Sequence, residues 1–232
     1  MTKALILAGG LGFRLRGVVS NLPKPMADVA GRPFLEYLMD YWTTQGVTEF
    51  ILSVGYMKDL IVAHFGSNYR GTPVKYIEES EPLGTGGGLL LALQYISEPF
   101  LLLNGDTFFK IKLDDLVAFH KRVKSSCTLS LFRTTEMNRY GGVDIDACGK
   151  IHAFNPLKSD ASFLANGGVY YINPELLKNC RFKLGKKYSF EDEMIPYLIK
   201  NKMKFYGLEC NAKFIDIGIP KDYFKSQDII KS

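Results

Sequence analysis

An α/β fold, doubly wound about a mixed, mainly parallel sheet and built as a single domain with two halves, is predicted by three features of this 232-residue sequence. Apolar runs of strand length alternate with helical stretches four times within the first 110 residues. The first run stops on a cluster of glycines, as a strand does where a ligand-binding loop follows it. Beyond residue 110 the alternation lapses into extended runs, and no Pro/Gly/Ser-rich linker intervenes, so the second half elaborates the same sheet.

Residues 4–8 are an unbroken Ala, Leu, Ile, Leu and Ala, the pattern of a strand buried on both faces. Gly9, Gly10 and Gly12 follow and leave backbone N–H groups uncovered, which suits the approach of a polyphosphate. Arg14 stands two residues past the last glycine, and Lys24 sits between Pro23 and Pro25, which restrict the backbone on either side. The result is a phosphate cradle with two fixed cations. Two generic phosphate motifs fail here. A dinucleotide fingerprint begun at Gly10 needs glycine at position 15, where Leu15 stands, and a P-loop needs Gly-Lys-Ser/Thr, which is absent.

Residues 33–45 predict a helix, with Pro33 in its first turn, Phe34, Leu35, Leu38, Met39, Tyr41 and Trp42 on an apolar stripe, and Gly46 past its end. Strands follow at 50–54, 74–77 and 100–103, with helices at 58–65 and 85–96 between them. Such alternation gathers ligands at the carboxyl ends of the strands. The loop after the 74–77 strand holds Gly84, Gly86, Gly87 and Gly88 and leads into a helix, so its backbone and that helix's N-terminus suit an anionic ligand. Asn104-Gly105-Asp106 closes the 100–103 strand. An aspartate there is placed to hold Mg²⁺ over a phosphate, although the tripeptide alone reads as a turn.

In the second half a helix is predicted at 113–123, with Asp114 and Asp115 suited to its first turn, and extended runs at 127–132, 142–145, 151–154 and 164–172. Ser189 and Asp192 have capping-box spacing. Near the end, Asp216 is read in an apolar strand with Phe214, Ile215 and Ile217, ahead of a helix begun at Pro220. A lone carboxylate in that setting is costly to bury unless a cation or donors meet it.

Hydrophobic residues make up 47% and charged residues 23%, the mix of a globular protein. No apolar stretch nears the ~20 residues of a membrane span, and the first apolar run is too short for a signal peptide. A cytoplasmic protein is expected. Cys127, Cys148, Cys180 and Cys210 lack paired spacing, which excludes a zinc or dithiol motif, and His64, His120 and His152 lack metal spacing. The net charge of +5 divides into −1 over residues 1–110 and +6 over 111–232. Without a dense basic cluster or interleaved aromatics, nucleic-acid binding is not expected.

Residues 7–15, with Gly9, Gly10, Gly12 and Arg14, followed by Leu22-Pro23-Lys24-Pro25-Met26, resemble the signature of the sugar-1-phosphate nucleotidyltransferases. The resemblance extends over about residues 4–225 and implies a Rossmann-like nucleotidyltransferase fold, with residues 1–110 as the nucleotide-binding half and 111–232 as the sugar-phosphate-binding half. It implies attack of a sugar 1-phosphate on a nucleoside triphosphate, with Ala8, Gly9, Gly10, Gly12, Gly84 and Thr85 at the nucleotide. Arg14 and Lys24 would hold phosphates, and Asp106 with Asp216 would carry Mg²⁺. Arg139-Tyr140-Gly141-Gly142, Asn166-Gly167-Gly168-Val169-Tyr170 and Tyr188-Ser189-Phe190-Glu191-Asp192 resemble the family's sugar-binding pieces, with Tyr140, Gly141, Asn166, Gly167 and Glu191 at the sugar.

Segments 22–27, 31–38 and 103–108 look most like the guanylyltransferases that use heptose 1-phosphate, ahead of those that use mannose 1-phosphate. Two departures stand out: Phe13 where the family usually has Thr, and Asn155-Pro156-Leu157-Lys158 where it has Glu-Lys-Pro, with Lys158 a candidate replacement cation. They keep open a catalytically silent sensor of sugar nucleotides, and the sequence leaves a homo-oligomer open. Leu15 argues against an NAD-binding oxidoreductase.

Overall fold

The computed structural model describes residues 1–10, 12, 15, 17–19, 21–136, 139–154, 162–178 and 180–231. Its frame starts from strand β1 (Thr2–Leu7), followed by the short hairpin of β2 (Asp28–Val29) and β3 (Arg32–Pro33), helix α1 (Phe34–Thr44) and β4 (Val47–Val54). Helix α2 (Lys58–Phe65), β5 (Asn68–Tyr69), β6 (Thr72–Glu78), α3 (Gly84–Ala92) and β7 (Phe100–Asn104) complete the alternation. Then come β8 (Thr107–Phe109), α4 (Leu113–Val123), β9 (Cys127–Thr134), β10 (Val143–Ile145), β11 (Ile151–Phe154) and β12 (Phe163–Ile172). Helix α5 (Ile195–Lys200), β13 (Phe205–Glu209), β14 (Phe214–Asp216) and α6 (Pro220–Lys231) close the chain.

Eight strands form one sheet in the order β13-β9-β12-β7-β1-β4-β6-β5. β1 pairs in parallel with β4 and β7, while β12 runs antiparallel to both β7 and β9. The sheet is therefore mixed and mainly parallel, and it crosses from the first half of the chain into the second without a break. Period-2 geometry sorts its side chains. Ala4, Ile6, Phe50, Leu52, Leu101 and Leu103 face one core, which α1, α2 and α4 cover; Leu5, Ile51, Phe100 and Leu102 face the other, which α3 and α5 cover. Helices on both faces explain why these strands read as continuous apolar runs.

Local sequence accounts for most boundaries. Helix α1 buries Phe34, Leu35, Leu38, Met39 and Trp42, and Gly46 takes up φ +88° just beyond it. Helix α4 carries Asp114 and Asp115 in its first turn and His120, Lys121 and Arg122 in its last, each set opposite the helix dipole it complements. Helix α3 stops at Ala92, short of the predicted 96, and four of its first five residues are glycines of low helix propensity. Packing sustains it instead: a Cβ on Gly86 would lie 2.8 Å from Met194 Sδ, and one on Gly87 would lie 2.6 Å from the Lys186 carbonyl.

Several short elements went unforeseen. Among them, β13 forms an edge of the sheet beside β9, β8 pairs with β14, the strand expected at Asp216, and residues Phe190–Met194 form a π-turn leading into α5. In the expected capping box, the Ser189 hydroxyl accepts from Asp192 N–H at 3.0 Å, but the return bond comes from Glu193, whose Oε1 accepts from Ser189 N–H at 2.8 Å. Among the described residues no helix is long and apolar enough to cross a membrane.

His120 is a structural histidine. It is buried, its Nδ1 lies 2.9 Å from Thr128 Oγ1, and its ring meets Tyr171 edge-on. Burial, with Lys121 adding to it, pushes its pKa down to about 4. An unfolded chain binds this proton near pH 6.5, so stability is complete above that value and drains away as pH falls toward 4, by up to ~3 kcal/mol. Urea unfolding midpoints of the wild type should fall more steeply over that interval than those of His120→Gln; parallel curves would remove His120 as the cause.

Candidate active site

Two short strands bring the predicted acids together. β8 pairs antiparallel with β14, Thr107 opposite Asp216, and Asp106 stands one residue before that pair. The Asp106 carbonyl accepts from Ile217 N–H at 3.0 Å, which locks the β7–β8 turn to the end of β14. Lys24, in a 3₁₀ turn begun between its two prolines, reaches into the gap. Its Nζ lies 2.5 Å from Asp106 Oδ2 and 3.8 Å from Asp216 Oδ1, with its side chain only 9% exposed. Asp216 Oδ1 also accepts from Gly218 N–H at 2.6 Å. Each charge here needs the others, since a buried ammonium or carboxylate without a partner is strongly unfavourable.

The ammonium marks a spot between two carboxylates that a divalent cation suits. Among the described residues no group of three or more His, Cys, Asp or Glu side chains is placed to hold a metal ion. Two hard oxygen donors fit an ion such as Mg²⁺, whose remaining positions go to phosphate and water, and do not fit a closed zinc site.

A cleft of about 810 Å³ opens above this cluster at the carboxyl ends of β1, β6 and β7. Ala8, Gly9, Gly10 and Gly12 form one wall, Gly84 and Thr85 the facing one, and Lys24 and Asp106 part of the floor. A side chain that the sequence reading passed over stands between those walls. Glu79 follows β6 directly, its Oε1 accepts from Ser53 Oγ at 2.8 Å, and its Oε2 accepts from Leu83 N–H at 3.0 Å. A Cβ on Gly9 would lie 2.5 Å from Glu79 Oε1, so a larger residue there would displace the carboxylate packed against it. Backbone alone was expected of the loop after β6; it also carries this acid.

Glu191 ties the Thr85 wall to the strands behind it. Its Oε2 accepts from Thr85 Oγ1 at 2.6 Å, and its Oε1 accepts from the Tyr170 hydroxyl at 2.9 Å and from Asn104 Nδ2 at 3.3 Å. The Tyr170 phenol is held well above its usual pKa, by burial first and then by this carboxylate. Thr85 Oγ1 in turn accepts from Phe190 N–H at 2.8 Å, while Tyr188 N–H donates to the Leu83 carbonyl at 2.9 Å and the Tyr188 carbonyl accepts from Gly86 N–H at 2.9 Å.

Four residues expected at the sugar do not line the cleft. Tyr140 packs against Phe132 and Phe214 in the core, with Gly141 beyond it. Asn166 lies one layer behind, donating from Nδ2 to the Tyr170 hydroxyl at 2.6 Å, so it supports Glu191 through that tyrosine. Gly167 sits in a register shift of β12, where a Cβ would lie 2.4 Å from the Phe109 ring. From these segments the cleft receives Arg139, Lys187 and Asp192 instead. Phe13, Arg14 and Lys158 lie outside the described residues.

Comparison with known proteins places this geometry. A sequence model for a family described as nucleotidyl transferase matches residues 3–232. The D-glycero-alpha-D-manno-heptose 1-phosphate guanylyltransferase of Aneurinibacillus thermoaerophilus is 42% identical over 226 residues, covering 97% of this chain and 96% of that protein. The protein of the same name from Campylobacter jejuni is 37% identical over 224 residues, 96% of this chain and 97% of that one. The crystal structure of HddC from Yersinia pseudotuberculosis complexed with GMP-PN superposes with a TM-score of 0.84 at 34% identity, covering 98% of this chain and 99% of that one.

Thr85→Val removes the hydroxyl shared by Glu191 and the Phe190 N–H while keeping the side chain's shape. A buried donor left without its acceptor should cost ~1–3 kcal/mol, read as a lowered urea midpoint. An unchanged midpoint would show that this hydroxyl does not hold the Thr85 wall to the turn at residues 190–194.

Proposed function

Because the chain belongs to the nucleotidyl transferase family, we propose that it transfers GMP from GTP to a heptose 1-phosphate, forming the nucleotide-activated heptose and releasing pyrophosphate. The observation that carries this reading is the meeting of Asp106 and Asp216 on the Lys24 ammonium, with Lys24 and Asp106 lining a glycine-walled cleft. The names of the Aneurinibacillus and Campylobacter relatives, and the GMP-PN held by the Yersinia structure, supply the base and the sugar.

The attacking group is an oxygen of the sugar phosphate, and it strikes the α-phosphorus of the triphosphate. Phosphate monoesters have a second pKa of about 6 and are already mostly ionised at neutral pH. No general base is needed, and no histidine is placed as one. His64 pairs with Glu36, His152 pairs with Asp146, His120 is buried beside Tyr171, and none of the three lines the cleft. Rate enhancement then comes from alignment and charge neutralisation.

Asp106 and Asp216 hold Mg²⁺ in this reading, and the bound ion supplies positive charge to both phosphates. Lys24, on its proline-braced turn, contacts the α-phosphate and the sugar phosphate, and Arg14 draws on the departing β- and γ-phosphates. Backbone N–H groups of Gly9, Gly10 and Gly12 and the N-terminus of α3 favour the anionic donor. Glu191, fixed by three hydrogen bonds, accepts from sugar hydroxyls.

Pyrophosphate release should be greatest with GTP and heptose 1-phosphate among the four nucleoside triphosphates, lower with mannose 1-phosphate, and absent without a divalent cation. Asp106→Asn and Asp216→Asn should each fold normally and lose on the order of 10³-fold in kcat with little change in GTP affinity. Binding without pyrophosphate release for every donor and acceptor pair would replace the enzyme with the sensor.

A further inference from the structure

Arg139 belongs to a segment expected to line the sugar, yet its guanidinium is committed elsewhere. Its Nη2 donates to the Asp216 carbonyl at 3.0 Å and lies 3.3 Å from Asp216 Oδ2. Its Nη1 pairs with Asp222, a buried acid in the first turn of α6. The guanidinium lies 4.8 Å from the centre of the Tyr140 ring, and that ring is wedged edge-on against Phe132 and Phe214. With only 16% of the side chain exposed, Arg139 spans from the core to the wall of the cleft.

This bracket matters because Asp216 ends a three-residue strand whose hydrogen-bonded neighbour is the equally short β8. Strand pairing that brief does little to fix a carboxylate. Arg139 fixes it twice, through the main-chain oxygen and through Oδ2, while Oδ1 is left to Gly218 and Lys24. Among the described residues the cluster also contains three carboxylates, Asp106, Asp216 and Asp222, against two cations, Lys24 and Arg139. Its surplus negative charge favours capture of a further cation.

We propose that Arg139, anchored by Asp222, is a positioning residue that holds the Asp216 carboxylate in the orientation required to bind a divalent cation beside Asp106. The inference rests on the metal-dependent transferase reading above. Partners standing behind a metal ligand typically change metal affinity by ~10–100-fold. Arginine is suited to the task because its planar fork bonds two acids at once, which a lysine ammonium on a flexible stem does not reproduce.

The test measures Mn²⁺ binding to the substrate-free protein, from the electron paramagnetic resonance signal of free ion, for wild type, Arg139→Gln, Arg139→Lys, Asp222→Asn, the Arg139→Gln/Asp222→Asn double variant and Asp216→Asn. Circular dichroism confirms folding in each. Arg139→Gln and Asp222→Asn should each weaken binding by about 10-fold, Arg139→Lys less, and the double variant no more than Arg139→Gln alone. The Mg²⁺ concentration for half-maximal pyrophosphate release should rise in parallel. Unchanged Mn²⁺ affinity in both single variants, with a raised KM for the sugar phosphate in Arg139→Gln, would overturn the proposal and make Arg139 a substrate contact. Should Arg139→Gln fail to fold, Arg139→Lys and Asp222→Asn decide the matter on the same criteria. If wild type binds Mn²⁺ no more tightly than Asp216→Asn, the metal site itself is wrong and this inference falls with it; if only Asp216→Asn loses affinity, the metal site stands and the inference alone fails.

Discussion

Two carboxylates brought close together repel, and their convergence on the Lys24 ammonium is the interaction on which this architecture turns. Removed from its counter-charge, either acid would swing into solvent or bind a proton. Much of the fold serves to prevent that. The proline-flanked turn limits where Lys24 can reach, the β8–β14 pairing sets the two acids side by side, and the Ile217 to Asp106 bond fixes the turn between them. The same electrostatic need that makes the cluster costly to bury also makes it receptive to a divalent ion and to phosphate.

Around that cluster the central sheet acts as a ruler. β1 lies between β4 and β7, so the loops leaving these strands open side by side, and the glycine wall faces the aspartate without a domain boundary to cross. β12 enters antiparallel beside β7 and brings Tyr170 beneath Glu191. Both walls of the cleft are thus carried on one continuous hydrogen-bonded sheet, and the Thr85–Glu191 bond ties the α3 wall to the turn at residues 190–194. A reaction that depends on aligning two anions profits from a frame with few independent motions.

What could be read in the residues, and what could not, follows from how far each signal reaches along the chain. The apolar runs behind β1, β4, β6 and β7, the glycines after β1 and the proline before α6 act on their own neighbours, and they placed these elements to within a few residues. β14 is legible in the apolar Phe214, Ile215 and Ile217 around Asp216, whereas β8, three residues long, owes its existence to pairing with it and leaves no local pattern. β13, with Gly207 at its middle and an acid at its end, lacked the apolar continuity of a buried strand. The expected direction of Asn166 failed for a related reason: the register shift between Asn166 and Tyr170 breaks the simple alternation that a sequence reader must assume. Glu79 and Arg139 stood in plain sight beside recognised motifs, but their roles depend on Gly9 and Asp216, partners that only the folded chain supplies.

The glycines of α3 carry a consequence for attempts to harden this protein. Replacing helical glycine by alanine is ordinarily a dependable route to greater thermal tolerance. Here the missing methyl groups are the space into which the Met194 sulfur and the Lys186 carbonyl have moved. A gain in intrinsic helicity would push the acceptor-side turn outward and widen the mouth of the catalytic chamber, so laboratory evolution toward heat resistance has to leave this helix alone and work on the opposite layer.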